Sequence, residues 1–269
     1  MMRQLCLWVS LMVLGWSSGA SALPINNPIT AGLVAAYEFS GNADDVTGNG
    51  NDGVVYGATS TADRFGNAGS AYSFDGVDDF IISSGTFPQQ VSGTIAFWFR
   101  DTSPNGTGGT FLSSRSTSGY ETGDLIVGNE ESGDLFRAIY WGSGSWEGFG
   151  SLNLPTNSWE HFSLSWDTDD GARIYVDGVE APSGYPPYAS TAPAYPIFAG
   201  LPLVLGRDQV FHWGSWVTDF GEGDIDDVYI YDRALSASEV QTLYSAVPEP
   251  STALLLGLGL AGIAIRKRR

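Results

Sequence analysis

The strongest constraint on this chain is a two-residue alternation that recurs along it. In Thr94 to Asp101, Ile95, Phe97 and Phe99 alternate with Thr94, Ala96, Trp98 and Arg100. Farther on, Phe162, Leu164 and Trp166 alternate with His161, Ser163, Ser165 and Asp167. Asp169-Asp170-Gly171 then turns the chain into Ile174 and Val176, opposite Arg173, Tyr175 and Asp177. Side chains on a strand point alternately to its two faces, so each segment presents one apolar and one polar face, the requirement of stacked antiparallel sheets. The 35 glycines and 13% aromatic content suit an all-β protein with many tight turns. Leu33 to Phe39 reads as a first strand. Ala71 to Phe74 and Phe80 to Ser83 read as a hairpin about Asp75-Gly76, with shorter strands near 110–113, 125–127, 136–141 and 203–205. Residues 182–202, with Pro182, Pro186, Pro187, Pro193, Pro196 and Pro202, are excluded from a central strand and read as a long loop. Ser236 with Glu239 is a capping box opening a single helix through Val240, Leu243 and Tyr244. Roughly a dozen strands and one helix predict a two-sheet antiparallel jelly-roll sandwich of one domain.

The two ends stand outside that domain. Residues 1–22 read as a secretory signal peptide: Arg3 supplies the charge, Leu5 to Leu14 the apolar core, and Ala20-Ser21-Ala22 the cleavage site. The one cysteine, Cys6, lies inside it, so the mature protein has no disulfide. At the other end, residues 247–269 run from Pro248-Glu249-Pro250 through an apolar stretch, Thr252 to Ile265, to Arg266-Lys267-Arg268-Arg269. This three-part tail resembles the PEP-CTERM sorting signal. The resemblance implies cleavage near Pro248, Glu249 and Pro250 by an exosortase and delivery to the cell surface or an extracellular matrix. Before processing, the apolar stretch reads as a short transmembrane helix in the inner membrane, its basic end held in the cytoplasm. Of 12 Lys+Arg, five lie in the two ends, and of 30 Asp+Glu only Glu249 does. The domain between them, residues 23–246, therefore keeps 7 basic groups against 29 acidic ones and contains no lysine. Such a surface repels nucleic acid and anionic membranes and attracts divalent cations.

Near the end of the domain, Gly223-Asp224-Ile225-Asp226-Asp227-Val228-Tyr229-Ile230-Tyr231 reads as a late strand. Strict alternation puts Asp226 on the face of Val228 and Ile230, where a carboxylate needs donors, a cation or a metal. The run from Gly223 to Glu239 resembles the end of the laminin-G-like, concanavalin A-like domains. Three other segments agree in order: Gly32 to Phe39 leading to Thr47 to Gly53, Tyr72 to Phe80, and Trp159 to Gly178. The resemblance covers roughly residues 32–245 and implies a jelly-roll fold, which hosts many activities. In such domains a structural calcium pins the amino-terminal turn against the last strand. Asp45, Asn49, Asn51 and Asp52 are the corresponding ligands, with Asp226 closing the site. The same residues also suit a turn in which Asp45 caps its own amides and Asp226 bonds backbone.

Catalysis finds little support. The Glu-x-Asp-x-x-Glu string of laminarinase-like enzymes on this fold does not occur, and alternation places the members of Glu130-Glu131 and Asp226-Asp227 on opposite faces. His161 and His212 are the only histidines, the domain has no Gly-x-Ser-x-Gly elbow, and His161 reads as structural. Sugar stacking is the alternative. Trp141, Trp146, Trp213 and Trp216 lie in Gly/Ser-rich segments and Tyr188 in the proline-rich loop, where aromatic faces meet sugar rings. The reading is an exported lectin-like protein that binds polysaccharide or another matrix component with calcium support and is not an enzyme. Its rivals are a structural matrix or adhesion protein and, third, a glycoside hydrolase.

Replacing Pro248, Glu249 and Pro250 together is expected to block processing. A pulse-chase of envelope fractions would show the unprocessed chain retained at the inner membrane; normal release would remove the motif from the sorting step.

Overall fold

The computed structural model describes residues 27–104, 106, 108–116, 122–130, 133–141, 146–181, 197–198, 200–212 and 215–246. Along the chain the strands are β1 (Leu33–Tyr37), β2 (Gly53–Tyr56), β3 (Thr59–Ala62), β4 (Ala68–Asp75), β5 (Phe80–Ser83) and β6 (Ser92–Asp101). Next come β7 (Thr110–Ser114), β8 (Leu125–Glu130), β9 (Gly133–Trp141), β10 (Trp146–Leu152), β11 (Glu160–Asp167) and β12 (Gly171–Val176). Then follow β13 (Val179–Glu180), β14 (Val204–Leu205), β15 (Arg207–His212), β16 (Ser215–Phe220), β17 (Glu222–Tyr231) and the helix α1 (Ala237–Ser245). An eight-stranded antiparallel sheet runs β13-β12-β11-β6-β17-β4-β3, with β1 also on β17. A seven-stranded one runs β10-β9-β8-β7-β14-β5-β2, and β15–β16 form a separate hairpin. The expected hairpin about Asp75-Gly76 is not one: β4 pairs with β3 and β17, whereas β5 pairs with β2 and β14. That turn carries the chain from one sheet to the other, a difference that alternation cannot express because both strands bury a face in the same core.

Aromatic rings join the layers. Phe99 of β6 stacks on Phe136 of β9 at 4.4 Å between centroids and meets Phe111 of β7 at 5.0 Å. Phe162 of β11 packs edge-on to Phe136 at 5.2 Å, and the buried Trp166 donates its Nε1–H to the carbonyl of Gln90. At the β14–β15 corner Gly206 has φ +78° and faces the Phe74 ring so closely that a Cβ would strike it.

Strand β17 is central. One edge pairs with β6 along its length, while the other pairs with β4 over Glu222 to Ile225 and with β1 over Val228 to Tyr231. The change of partner coincides with a bulge: the register with β6 shifts between Asp226 and Tyr229, and Asp227 takes the left-handed φ of 47°. The extra residue moves Asp226 off the face of Val228 and Ile230, contrary to strict alternation. Ile225, Val228 and Ile230 face the core between the sheets, while Tyr229 and Tyr231 pack on the outer side. Nor do Asp226 and Asp227 diverge: both carboxylates reach Nη1 of Arg64, at 2.5 and 2.7 Å, and all three side chains are almost fully buried. The guanidinium lies between Phe65 and Trp98, 4.5 and 4.6 Å from their ring centres. Helix α1 covers this outer side, its capping box formed by Ser236 and Glu239. Val240 and Leu243 are buried against Ala36, Ala96, Tyr229 and Tyr231, and Tyr244 stacks on Trp98 at 5.5 Å.

Phe99→Ala is expected to cost about 3–5 kcal/mol in urea unfolding, because the cavity would open between the sheets. A second expectation concerns pH. Burial, then the neighbouring charge of Asp227, pushes the Asp226 carboxyl up to about 8 despite the opposing pull of Arg64. Because the folded value lies above the ordinary one, this group's contribution to stability is complete below about pH 4 and is lost as pH rises through about 8. The unfolding midpoint of the wild type relative to Asp226→Asn should therefore decline from pH 5 to pH 8.5. Parallel curves would show that Asp226 does not carry the slope.

Candidate functional site

The residues expected to hold calcium separate into two networks. Asp45, Asn49, Asn51 and Asp52 form one turn laid against β1. The Asp45 carboxylate accepts from the amides of Ala36, Thr47 and Asn51, from the Thr47 hydroxyl and from Asn51 Nδ2. Asp52 accepts from the amide of Asp45, and the side-chain amides of Asn49 and Asn51 donate to the carbonyl of Val34 at 2.9 and 3.3 Å. Both Asp45 oxygens and one Asp52 oxygen thus face N–H or O–H donors, whereas calcium is bound by oxygens free to coordinate it. Asp226 belongs to the Arg64 network. A different group, Asp75, Asp78 and Asp79 at the crossing between β4 and β5, has carboxylate oxygens within 4.8 Å of one another. There Asp75 accepts from the amides of Val77 and Asp78, and Asp79 accepts from the amide of Asp75.

His161 offers no acid–base chemistry at neutral pH. It is 1% exposed, edge-on to Trp98 at 5.2 Å, and burial together with the nearby Arg64 charge pushes it down to about 3. Asp226 and Asp227 are packed beneath α1 with Arg64 instead of facing each other across an open cleft.

The seven-stranded sheet behaves differently from an ordinary half-exposed sheet. Its inner row, Val55, Ile81, Leu205, Leu112, Val127 and Ala138, is apolar in register from β2 to β9. The outer row beside it is Val54, Ile82, Val204, Ser113, Ile126, Ile139 and Gly148, and it is also mainly apolar. Solvated faces of antiparallel sheets normally carry polar residues. The β15–β16 hairpin is rooted on this sheet: Ser113 donates its hydroxyl to the carbonyl of Arg207 at 2.7 Å, Arg115 donates to Asp208 at 2.7 Å, and Thr110 donates to Asp219 at 2.7 Å. At the β2 edge the row is open: Val54 is 45% and Tyr56 49% exposed. Tyr56 lies flat on Phe80, with centroids 4.5 Å apart and planes 12° from parallel. The sequence reading missed this pair, although Gly53-Val54-Val55-Tyr56 alternates as a strand should.

Trp141 and Trp146 are direct cross-strand partners at the end of the β9–β10 ladder, one register step beyond Tyr140 and Glu147. Trp216 pairs with Phe211 within the β15–β16 hairpin. Tyr188, Trp213, residues 1–22 and the tail with Pro248, Glu249 and Pro250 lie outside the described residues. Among the described residues no helix is long and apolar enough to cross a membrane.

Known proteins place this geometry. Among solved structures, domain 4 of AbnA, an extracellular arabinanase from Geobacillus stearothermophilus, in complex with arabinotriose, superposes with a TM-score of 0.58 at 22% identity, over 79% of this chain and 98% of that one. Trypanosoma rangeli sialidase in complex with sialic acid gives a TM-score of 0.54 at 19% identity, over 80% of this chain and 33% of that one. The receptor-binding domain of botulinum neurotoxin D gives 0.56 at 12% identity, over 79% and 52%. At these identities the likeness is one of fold. A rat protein, sushi, von Willebrand factor type A, EGF and pentraxin domain-containing protein 1, is 24% identical over 184 residues. Those residues make up 66% of this chain, which spans only 5% of that relative's length. Residues 246–269 match the PEP-CTERM protein-sorting motif, which marks an exported protein processed by an exosortase. Residues 74–241, more than half of the chain, match the family model, and the protein belongs to the concanavalin A-like lectin/glucanases superfamily.

Proposed function

We propose that this exported protein is a non-catalytic, lectin-like module that holds polysaccharide on the outer face of its seven-stranded sheet. One observation carries the reading: an outer row of that sheet, Val54, Ile82, Val204, Ile126 and Ile139, is apolar except at Ser113, and it is open at the β2 edge, where Val54 and Tyr56 are exposed. Exposed apolar surface of this kind marks interaction sites, and sugar rings bring flat C–H faces that pack on apolar and aromatic groups. The cross-strand pair Trp141–Trp146 ends the β9–β10 ladder of the same sheet. The arabinotriose in the complex of a domain of similar fold agrees with a sugar ligand. In this reading the tail holds the protein at the inner membrane until an exosortase releases it to the cell surface or matrix. A matrix protein whose acidic surface is cross-linked by divalent ions is the rival that the charge balance favours.

Affinity electrophoresis of the purified protein through gels containing polysaccharide, in calcium and in EDTA, tests the proposal. Retardation by at least one neutral polysaccharide is expected, and the double variant Trp141→Ala, Trp146→Ala should weaken it about tenfold, roughly the loss of one or two aromatic contacts. Loss in EDTA would show that calcium supports binding. No retardation by any polysaccharide, with aggregation on adding calcium, would favour the matrix protein.

A further inference from the structure

We propose that Tyr56 is a stacking platform for a neutral pyranose ring, a second sugar subsite at the β2 edge of the seven-stranded sheet, far in register from Trp141 and Trp146. It rests on the polysaccharide-binding reading and extends it. Exposed tyrosines are ordinary when they stand alone; this one is built in. Tyr56 and Phe80 are register partners on β2 and β5, and their rings lie nearly parallel at 4.5 Å. The Arg207 guanidinium sits 3.7 Å from the centre of the Phe80 ring, so Phe80 is held between the arginine and the tyrosine. Arg207 is itself fixed, because its carbonyl accepts the Ser113 hydroxyl at 2.7 Å. Behind the tyrosine, Ala58 donates its amide to the carbonyl of Tyr56 at 2.9 Å, and Gly57, at φ +74°, packs against the Asp79 carboxylate with no room for a Cβ. The ring is thus presented to solvent as a flat surface whose orientation is set before any ligand arrives, which lowers the entropic cost of binding.

The surroundings choose the ligand. Val54, two residues back on the same face, widens the apolar surface. Asp79 adjoins Phe80 in sequence, and Asp75 and Asp78 are exposed beside it. Carboxylates at the rim of an aromatic platform accept hydrogen bonds from sugar hydroxyls and repel uronic, sialic or sulfated sugars. A neutral pyranose polymer matches both the flat ring and the charge.

The test is affinity electrophoresis of the protein against soluble β-glucan, dextran, galactomannan and, as the acidic control, alginate. The expected result is retardation by a neutral polymer that weakens about tenfold in Tyr56→Ala. Tyr56→Thr, which keeps a strand-favouring side chain, should show the same loss, while Tyr56→Phe binds like the wild type and all three melt near the wild-type temperature. If the wild type is retarded and Tyr56→Ala and Tyr56→Thr are retarded equally, the platform is refuted while the polysaccharide reading stands. Retardation by alginate alone refutes the assignment to a neutral sugar. If no polymer retards the wild type, the polysaccharide reading falls and the platform with it. A concentration-dependent dimer that Tyr56→Ala abolishes would instead assign the surface to a second copy of this chain.

Discussion

The buried cluster in which Arg64 holds Asp226 and Asp227 is the constraint on which the eight-stranded sheet depends. Strand β17 must serve two neighbours in succession on one edge, β4 and then β1, and the bulge at Asp227 lies where one gives way to the other. A bulge in the middle of a sheet interrupts the ladder, and two adjacent carboxylates there would repel each other if left alone. Arg64, arriving from the turn between β3 and β4, answers both problems with one guanidinium, and the rings of Phe65 and Trp98 fix its plane. Trp98 in turn receives Tyr244, so the seating of α1 depends on the same arginine. Removing one partner from such a buried cluster typically costs about 3–5 kcal/mol, whereas the intact cluster adds little net stability. Its contribution is to select one arrangement of β1, β4 and α1.

Much of this fold was legible in the sequence wherever alternation and burial coincide. Ile95, Phe97 and Phe99 and, on the neighbouring strand, Phe162, Leu164 and Trp166 face the core as their spacing requires, and Ser236 with Glu239 forms the capping box. The errors arose where a local pattern has two spatial solutions. Asp75-Gly76 is a turn, but nothing in a period of two says whether the returning strand joins the same sheet or the facing one. Asp226 was assigned to the core face because one extra residue, Asp227, is invisible to periodicity until the backbone adopts a positive φ. At Asp45 the ligand types for calcium and for a self-capped turn are the same atoms. In the fold the amides of Ala36, Thr47 and Asn51 point at the Asp45 carboxylate, an arrangement that a period of two does not encode. The Tyr56–Phe80–Arg207 stack was hidden for another reason, since its members come from three strands distant in sequence.

The two sheets dispose of their outer faces in opposite ways, and this gives the molecule a direction. The outer face of the eight-stranded sheet is closed by α1, and Pro28 and Ala246 line the same small cleft there with Arg64, Trp98 and Asp227. The described chain therefore begins and ends on the helix side, and the sorting motif follows directly from it. The seven-stranded sheet lies on the opposite side of the core, with its second apolar row only partly roofed by the β15–β16 hairpin. Charge reinforces the arrangement: a domain with so few cations keeps off anionic surfaces, and three of its arginines are engaged with acids on the helix side, at Arg64, Arg100 and Arg233. On the seven-stranded side Arg115 is paired with Asp208 and Arg207 is stacked on an aromatic ring, so the apolar row at the β2 edge would act through shape and dispersion more than through ion pairing. A neutral polymer with repeating flat rings suits such a face, because each weak contact is repeated along the chain and the sum is what holds.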